Sequence, residues 1–112
     1  MPTSNTSLQG KICMVTGANS GIGKATALAL AQMGATVVLV CRDPTKGEET
    51  QRAIATASRN TAVDLLQADL SSQESIRQLA EQFKQRYTHL HVLINNAARR
   101  SPGGVKPWMD WR

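Results

Sequence analysis

The stretch that decides the fold is TGANSGIG, residues 16–23. It sits at a junction. Before it stands a short apolar run, residues 11–16 (KICMVT), and after it residues 22–33 (IGKATALALAQM), rich in Ala and Leu and closed by Gly34. The first is strand-like; the second has the composition of a helix stopped by a glycine. A further apolar and partly β-branched run at residues 36–41 (TVVLVC) completes strand, helix, strand within about thirty residues, the length of a βαβ unit. Its crossover is expected to be right-handed. Because these runs are continuous rather than alternating, they predict parallel strands covered on both faces.

The pattern continues downstream. Residues 44–58 (PTKGEETQRAIATAS) begin with Pro and carry acids in their early turns, as helices prefer, although Gly47 weakens the pattern. Residues 62–68 (AVDLLQA) predict a third, mixed strand ending at Asp69. Residues 71–74 (SSQE) have capping-box spacing, and Ile76, Leu79, Ala80, Phe83 and Tyr87 then mark a helical stripe. Residues 90–94 (LHVLI) predict a fourth strand. Alternation of this kind defines the α/β class, a parallel sheet with helices on both faces.

Composition narrows the function classes. The chain has 112 residues, enough for one small core, and its net charge is +5. Up to residue 98 there are nine Lys or Arg against seven acids, so most of the excess lies with Arg99, Arg100, Lys106 and Arg112. That disfavours a nucleic-acid footprint on the body, where a basic stripe or sheet-borne stacking aromatics are needed. Cys13 and Cys41 lie in apolar strands without CxxC spacing and read as buried thiols; His89 and His91 lack partners at metal spacing, so no metal site is expected. The N-terminus has neither the charged start nor the apolar core of a signal peptide, and no apolar run approaches about 18 residues, so a cytoplasmic protein without a membrane span is expected.

Chemistry centres on the glycine turn. Gly17, Gly21 and Gly23 let backbone N–H groups and a helix N-terminus approach a phosphate-bearing ligand. The spacing excludes a P-loop, since Lys24 is followed by Ala25, and it is GxxxGxG rather than GxGxxG. Here the sequence resembles the short-chain dehydrogenase/reductase family, whose TGxxxGIG turn is matched by Thr16, Gly17, Gly21, Ile22 and Gly23. VTGANSGIG together with VCRDPTKGEE resembles its retinol-dehydrogenase-type branch.

The resemblance covers about residues 8–98 and implies a Rossmann-type doubly wound parallel sheet, here truncated after the fourth strand with order 3-2-1-4. It implies that Gly17, Asn19, Ser20, Gly21, Ile22 and Gly23 cradle the cofactor. Asp69 and Leu70 would bracket the adenine, and Asn96 and Ala97, from the family's NNAG segment, would approach the nicotinamide ribose. At the end of the second strand an NAD site usually offers an acid, whereas this chain has Cys41 and then Arg42, suited to a 2′-phosphate, so NADP(H) is favoured over NAD(H). The plain alternative makes Arg42 a surface charge paired with Asp43.

The family's Ser and Tyr-x-x-x-Lys have no counterpart among these residues. The one tyrosine, Tyr87, lies on the helical stripe and is followed four residues later by His91, so no catalytic residue is assigned. The expected organisation is a polar segment at residues 1–10, a partial NAD(P)-binding domain at 11–97 and an irregular tail at 98–112. Back-translation of the tail with one nucleotide lost near codon 97 yields a text similar to the family's next segment, so the tail reads as frameshifted. The fourth strand would then be an open edge and the fragment marginal. The reading is the N-terminal part of an NADP(H)-dependent oxidoreductase acting on an alcohol or carbonyl, inactive by itself. The competing reading is a catalytically silent dinucleotide-binding or interaction module whose residues 99–112 contact a partner.

Overall fold

A computed structural model describes residues 7–18 and 21–96. Its elements alternate without interruption: β1 (Ile12–Thr16), α1 (Gly21–Gln32), β2 (Thr36–Cys41), α2 (Pro44–Ser58), β3 (Val63–Gln67), α3 (Gln73–Arg86) and β4 (Val92–Asn95). The strands form one parallel sheet ordered β3-β2-β1-β4.

Both faces of the sheet are apolar because successive residues of each strand point to opposite sides. Cys13, Val15, Val37, Leu39, Cys41 and Val63 form one core with Ala27 and Ala31 of α1 and Ile54 of α2. Met14, Val38, Val40 and Leu66 form the other with Leu79 and Phe83 of α3. This two-sided burial is why the strands read as continuous apolar runs rather than alternating ones. Gly47, which weakened the helix signal in α2, has a packing reason. A Cβ there would stand 2.9 Å from Leu65 Cδ1 and 3.3 Å from Cys41 Cβ. Its absence lets α2 settle close to β2 and β3.

Helix ends follow local chemistry. Gly34 closes α1 at φ +93°, whereas α2 is closed by Arg59 in the left-handed region at φ +58°, its N–H donating to the Ala55 carbonyl. The capping box expected at residues 71–74 does not form, and the helix cap lies one residue later. Ser71 is taken by Asp69, whose Oδ1 accepts from the Ser71 N–H at 3.0 Å and from its hydroxyl at 2.6 Å. Ser72 therefore caps α3, accepting from the Ser75 N–H at 3.2 Å. Glu74 pairs instead with Arg77 on the surface, an exposed contact worth little.

The fourth strand also starts later than its apolar run. His91 Nδ1 accepts from the Ile12 N–H at 2.9 Å, and Leu90 packs on the α3-side core. The regular pairing then runs from Cys13↔Val92 to Thr16↔Asn95, which carries Asn95 into the sheet. β4 forms one edge of the sheet, with Leu93 38% exposed. Among the described residues no helix is long and apolar enough to cross a membrane. The irregular tail expected at 98–112 lies outside the described residues.

Candidate functional site

Parallel strands bring their C-terminal ends to one edge of the sheet, and the motifs singled out from the sequence gather there. β1 passes into the glycine turn at Gly17, which takes φ +63°, a conformation that suits glycine. Its N–H donates to the Val40 carbonyl at 3.2 Å, which anchors the turn to β2 as it leaves the sheet. Gly23 lies close under this turn: a Cβ there would collide with the Gly17 carbonyl oxygen and stand 2.9 Å from its carbonyl carbon.

Gly21 is different. Among the described residues a Cβ at Gly21 would meet nothing within 4 Å. One glycine is thus demanded by the protein's own packing, while the other keeps a space open at the start of α1. Ile22, in the same first turn, is 75% exposed, unusual for so large an apolar side chain. Asn19 and Ser20 lie outside the described residues.

Across from the turn, β4 delivers two asparagines. The buried Thr16 hydroxyl donates to Asn95 Oδ1 at 2.9 Å and accepts from the Asn96 N–H at 3.1 Å, tying the first strand to the fourth. Asn96 Nδ2 is buried and has no hydrogen-bond partner among the described residues. A buried donor left unpaired costs about 1–3 kcal/mol, so this amide marks a position suited to an incoming acceptor. Ala97 lies outside the described residues.

At the end of β2, Cys41 is buried and Arg42 is exposed. Asp43 does not pair with Arg42; its Oδ1 caps α2, accepting from the Thr45 N–H at 2.9 Å and the Lys46 N–H at 3.4 Å. The ion pairs among the described residues lie elsewhere, on α3 and between Arg86 and Asp64. At the end of β3, Gln67 Nε2 donates to the Arg42 carbonyl at 3.2 Å. Asp69 is held by Ser71 and by its own N–H donating to Ser75 Oγ at 2.7 Å, while Leu70 packs against the α3-side core. Asp69 and Leu70 therefore form a fixed shelf beside the end of β2.

Tyr87 stands at the other end of the sheet. It is the C-cap of α3 rather than a residue within it, its ring centroid is 5.0 Å from that of Phe83, and its hydroxyl donates to Asp64 Oδ2 at 2.8 Å. Burial, and then the adjoining Asp64 carboxylate, push its pKa up to about 12. Burial also pushes the Asp64 carboxyl upward, but hydrogen bonds from Arg86, Tyr87 and the Leu65 N–H, with the Arg86 charge, outweigh it and hold the group below its usual value. This tyrosine is a structural clasp, remote from the glycine turn.

Two contributors were not singled out as site residues from the sequence. The Thr16–Asn95 link depends on register across 79 residues, and the Gln67 contact on which side of β3 meets the end of β2. Neither leaves a periodic signal in one dimension.

Comparison with known proteins agrees with this architecture. The model of the short chain dehydrogenase family matches residues 11–109, and the chain belongs to that family. Retinol dehydrogenase 11 of Mus musculus is 52% identical over 95 residues, which cover 85% of this chain and 30% of the relative. The Homo sapiens retinol dehydrogenase 11 is 53% identical over the same shares. Among solved structures, the Pseudomonas aeruginosa RhlG/NADP active-site complex superposes with a TM-score of 0.78 at 34% identity, covering 90% of this chain and 39% of that one. The chain thus spans about a third of the length of the relatives it matches.

The family's nicotinamide dinucleotide fits the residues present. Among the described residues nothing stands within 4 Å of a Cβ at Gly21, the buried Asn96 amide has no partner and offers a donor, and Arg42 offers an exposed cation not paired with Asp43.

Proposed function

We propose that this chain forms the cofactor-binding part of an NADP(H)-dependent oxidoreductase acting on an alcohol or carbonyl of the kind that retinol dehydrogenases handle. The observation that carries the cofactor preference is Arg42, exposed at the end of β2 while its neighbouring carboxylate is held as the α2 cap. A guanidinium there can grip a 2′-phosphate with two charge-assisted hydrogen bonds, and the adjacent Asp43 carboxylate is taken up by the N–H groups of α2.

The family resemblance supports roles for the remaining residues. The N–H groups of the glycine turn and the start of α1 would receive the pyrophosphate, with Asn19 and Ser20 as part of that motif and Gly21 adding no side chain. Leu70 and Asp69 would flank the adenine. Asn96 and Ala97 would hold the nicotinamide ribose, and Ile22 would belong to the same cofactor cradle. The bound dinucleotide supplies the hydride chemistry. The proton transfer that accompanies it needs a tyrosine activated by a lysine, a role that Tyr87, bonded to Asp64 at the other end of the sheet, does not fit. A reducing compartment such as the cytoplasm suits its two buried free thiols.

The test is a titration of the chain with NADPH and with NADH, followed by nicotinamide fluorescence. NADPH is expected to bind more tightly, and Arg42→Ala to weaken NADPH by at least about tenfold while leaving NADH unchanged. Equal loss for both cofactors refutes the NADP(H) reading.

A further inference from the structure

Resting on the NADP(H) reading, we propose that Gln67 and Asp43 are positioning residues that hold Arg42 ready for the 2′-phosphate. The regular β2–β3 ladder ends where the Ala68 N–H donates to the Cys41 carbonyl at 3.1 Å. The next carbonyl, that of Arg42, lies just past the end of β2. Among the described residues no backbone N–H is bonded to it, and the Asp69 N–H donates to Ser75 Oγ.

Gln67 reaches it with its side chain, Nε2 donating to the Arg42 carbonyl at 3.2 Å. One residue further on, Asp43 adopts extended geometry, with φ −94° and ψ 111°, and its carboxylate takes two N–H groups of α2. A backbone hydrogen bond holds the residue before Arg42, and side-chain hydrogen bonds hold its own carbonyl and the residue after it, while the Arg42 side chain is exposed. The Asp43 cap has a second effect. It engages the neighbouring carboxylate at the N-terminus of α2, where the helix dipole offsets its charge. Holding the strand end before the ligand arrives reduces the ordering cost of binding, and that gain is confined to ligands that Arg42 grips.

The experiment uses the full chain and two ligand pairs, NADPH against NADH and 2′,5′-ADP against 5′-ADP, measured by calorimetry and nicotinamide fluorescence. Gln67→Met keeps the side-chain length and removes the donor. It is expected to weaken NADPH and 2′,5′-ADP by about threefold to tenfold, the range of one hydrogen bond, and to leave NADH and 5′-ADP unchanged. In an Arg42→Ala background the same change is expected to do nothing, since its effect passes through Arg42. Asp43→Ala should behave like Gln67→Met, and Asp43→Ser, which restores a cap, should recover the binding. A loss by Gln67→Met that is equal for both members of a pair, or that persists without Arg42, overturns the proposal. If Arg42→Ala is selective for the phosphorylated ligands and Gln67→Met is silent, the proposal fails and the NADP(H) reading stands. If Arg42→Ala is not selective, both fall.

Discussion

Gly21 and Gly23 stand two residues apart in one turn, yet the structure assigns them opposite tolerances. In Gly23→Ala the new methyl meets the carbonyl group of Gly17 and stands 3.1 Å from the Ala18 Cα. These are backbone atoms that cannot rotate aside, so the turn must shift. Overpacking of this kind costs about 1–3 kcal/mol, and the better helix propensity of alanine offsets at most about 1 kcal/mol of it. A net loss of about 1–2 kcal/mol lowers the melting temperature of a domain this size by about 5–15 °C.

In Gly21→Ala the methyl enters open space. Stability is expected to hold or to rise by up to about 0.5 kcal/mol, while affinity for NADPH falls at least about tenfold because the methyl occupies the clearance kept for the phosphates. Urea unfolding followed by far-ultraviolet circular dichroism measures the first quantity, and fluorescence titration the second. The reasoning is refuted if Gly23→Ala is as stable as the parent, or if Gly21→Ala binds the dinucleotide undiminished.

Other perturbations read separate parts of the molecule. Arg59→Gly relieves a non-glycine residue from the left-handed region and is expected to stabilise the chain by about 0.5–1 kcal/mol, detectable as a higher urea midpoint at constant slope. Thr16→Val leaves Asn95 Oδ1 and the Asn96 N–H without the hydroxyl that joins them and is expected to cost about 1–3 kcal/mol, with Thr16→Ser close to neutral. Stability is also expected to depend on pH at both extremes. The Tyr87 pKa is raised to about 12 when folded, so its contribution is whole below its unfolded value near 10 and is lost as pH climbs from about 10 to 12. Tyr87→Phe should flatten that alkaline limb in a pH series of melting temperatures. Asp64 is held below its usual value, so its contribution is present above its unfolded value of about 3.9 and disappears as pH falls through the lower folded one. Asp64→Asn should blunt the acid limb.

How much of this was legible beforehand differs from element to element. β2 and α2 were legible to the residue, because a β-branched run ending in Cys-Arg-Asp-Pro marks both the strand end and the helix start. β4 starts two residues later and ends one residue later than its apolar run: the run begins at Leu90, but Leu90 packs on the α3-side core and the ladder carries Asn95 instead of stopping at Ile94. The α3 cap slipped from Ser71 to Ser72 because two serines and one aspartate compete within four residues, and hydrogen-bond geometry, not composition, picks the winner. Spacing marks the glycine turn, the strand end marks Arg42, and the family resemblance marks Asp69, Leu70 and Asn96; strands running in parallel with helical crossovers are enough to bring them to one edge.

The amino-acid order by itself determined the class of fold, the sequence of elements and the place of the glycine-rich turn, since hydrophobic period, glycine spacing and cap residues are local properties of the chain. Tertiary structure alone decided which glycine packs and which gives clearance, that Thr16 joins β1 to both asparagines, that Asp43 faces its helix rather than Arg42, and that Gln67 reaches the Arg42 carbonyl. Each of these depends on register and on which atoms meet across tens of residues, and such distances are set only when the strands pair and the helices close over them.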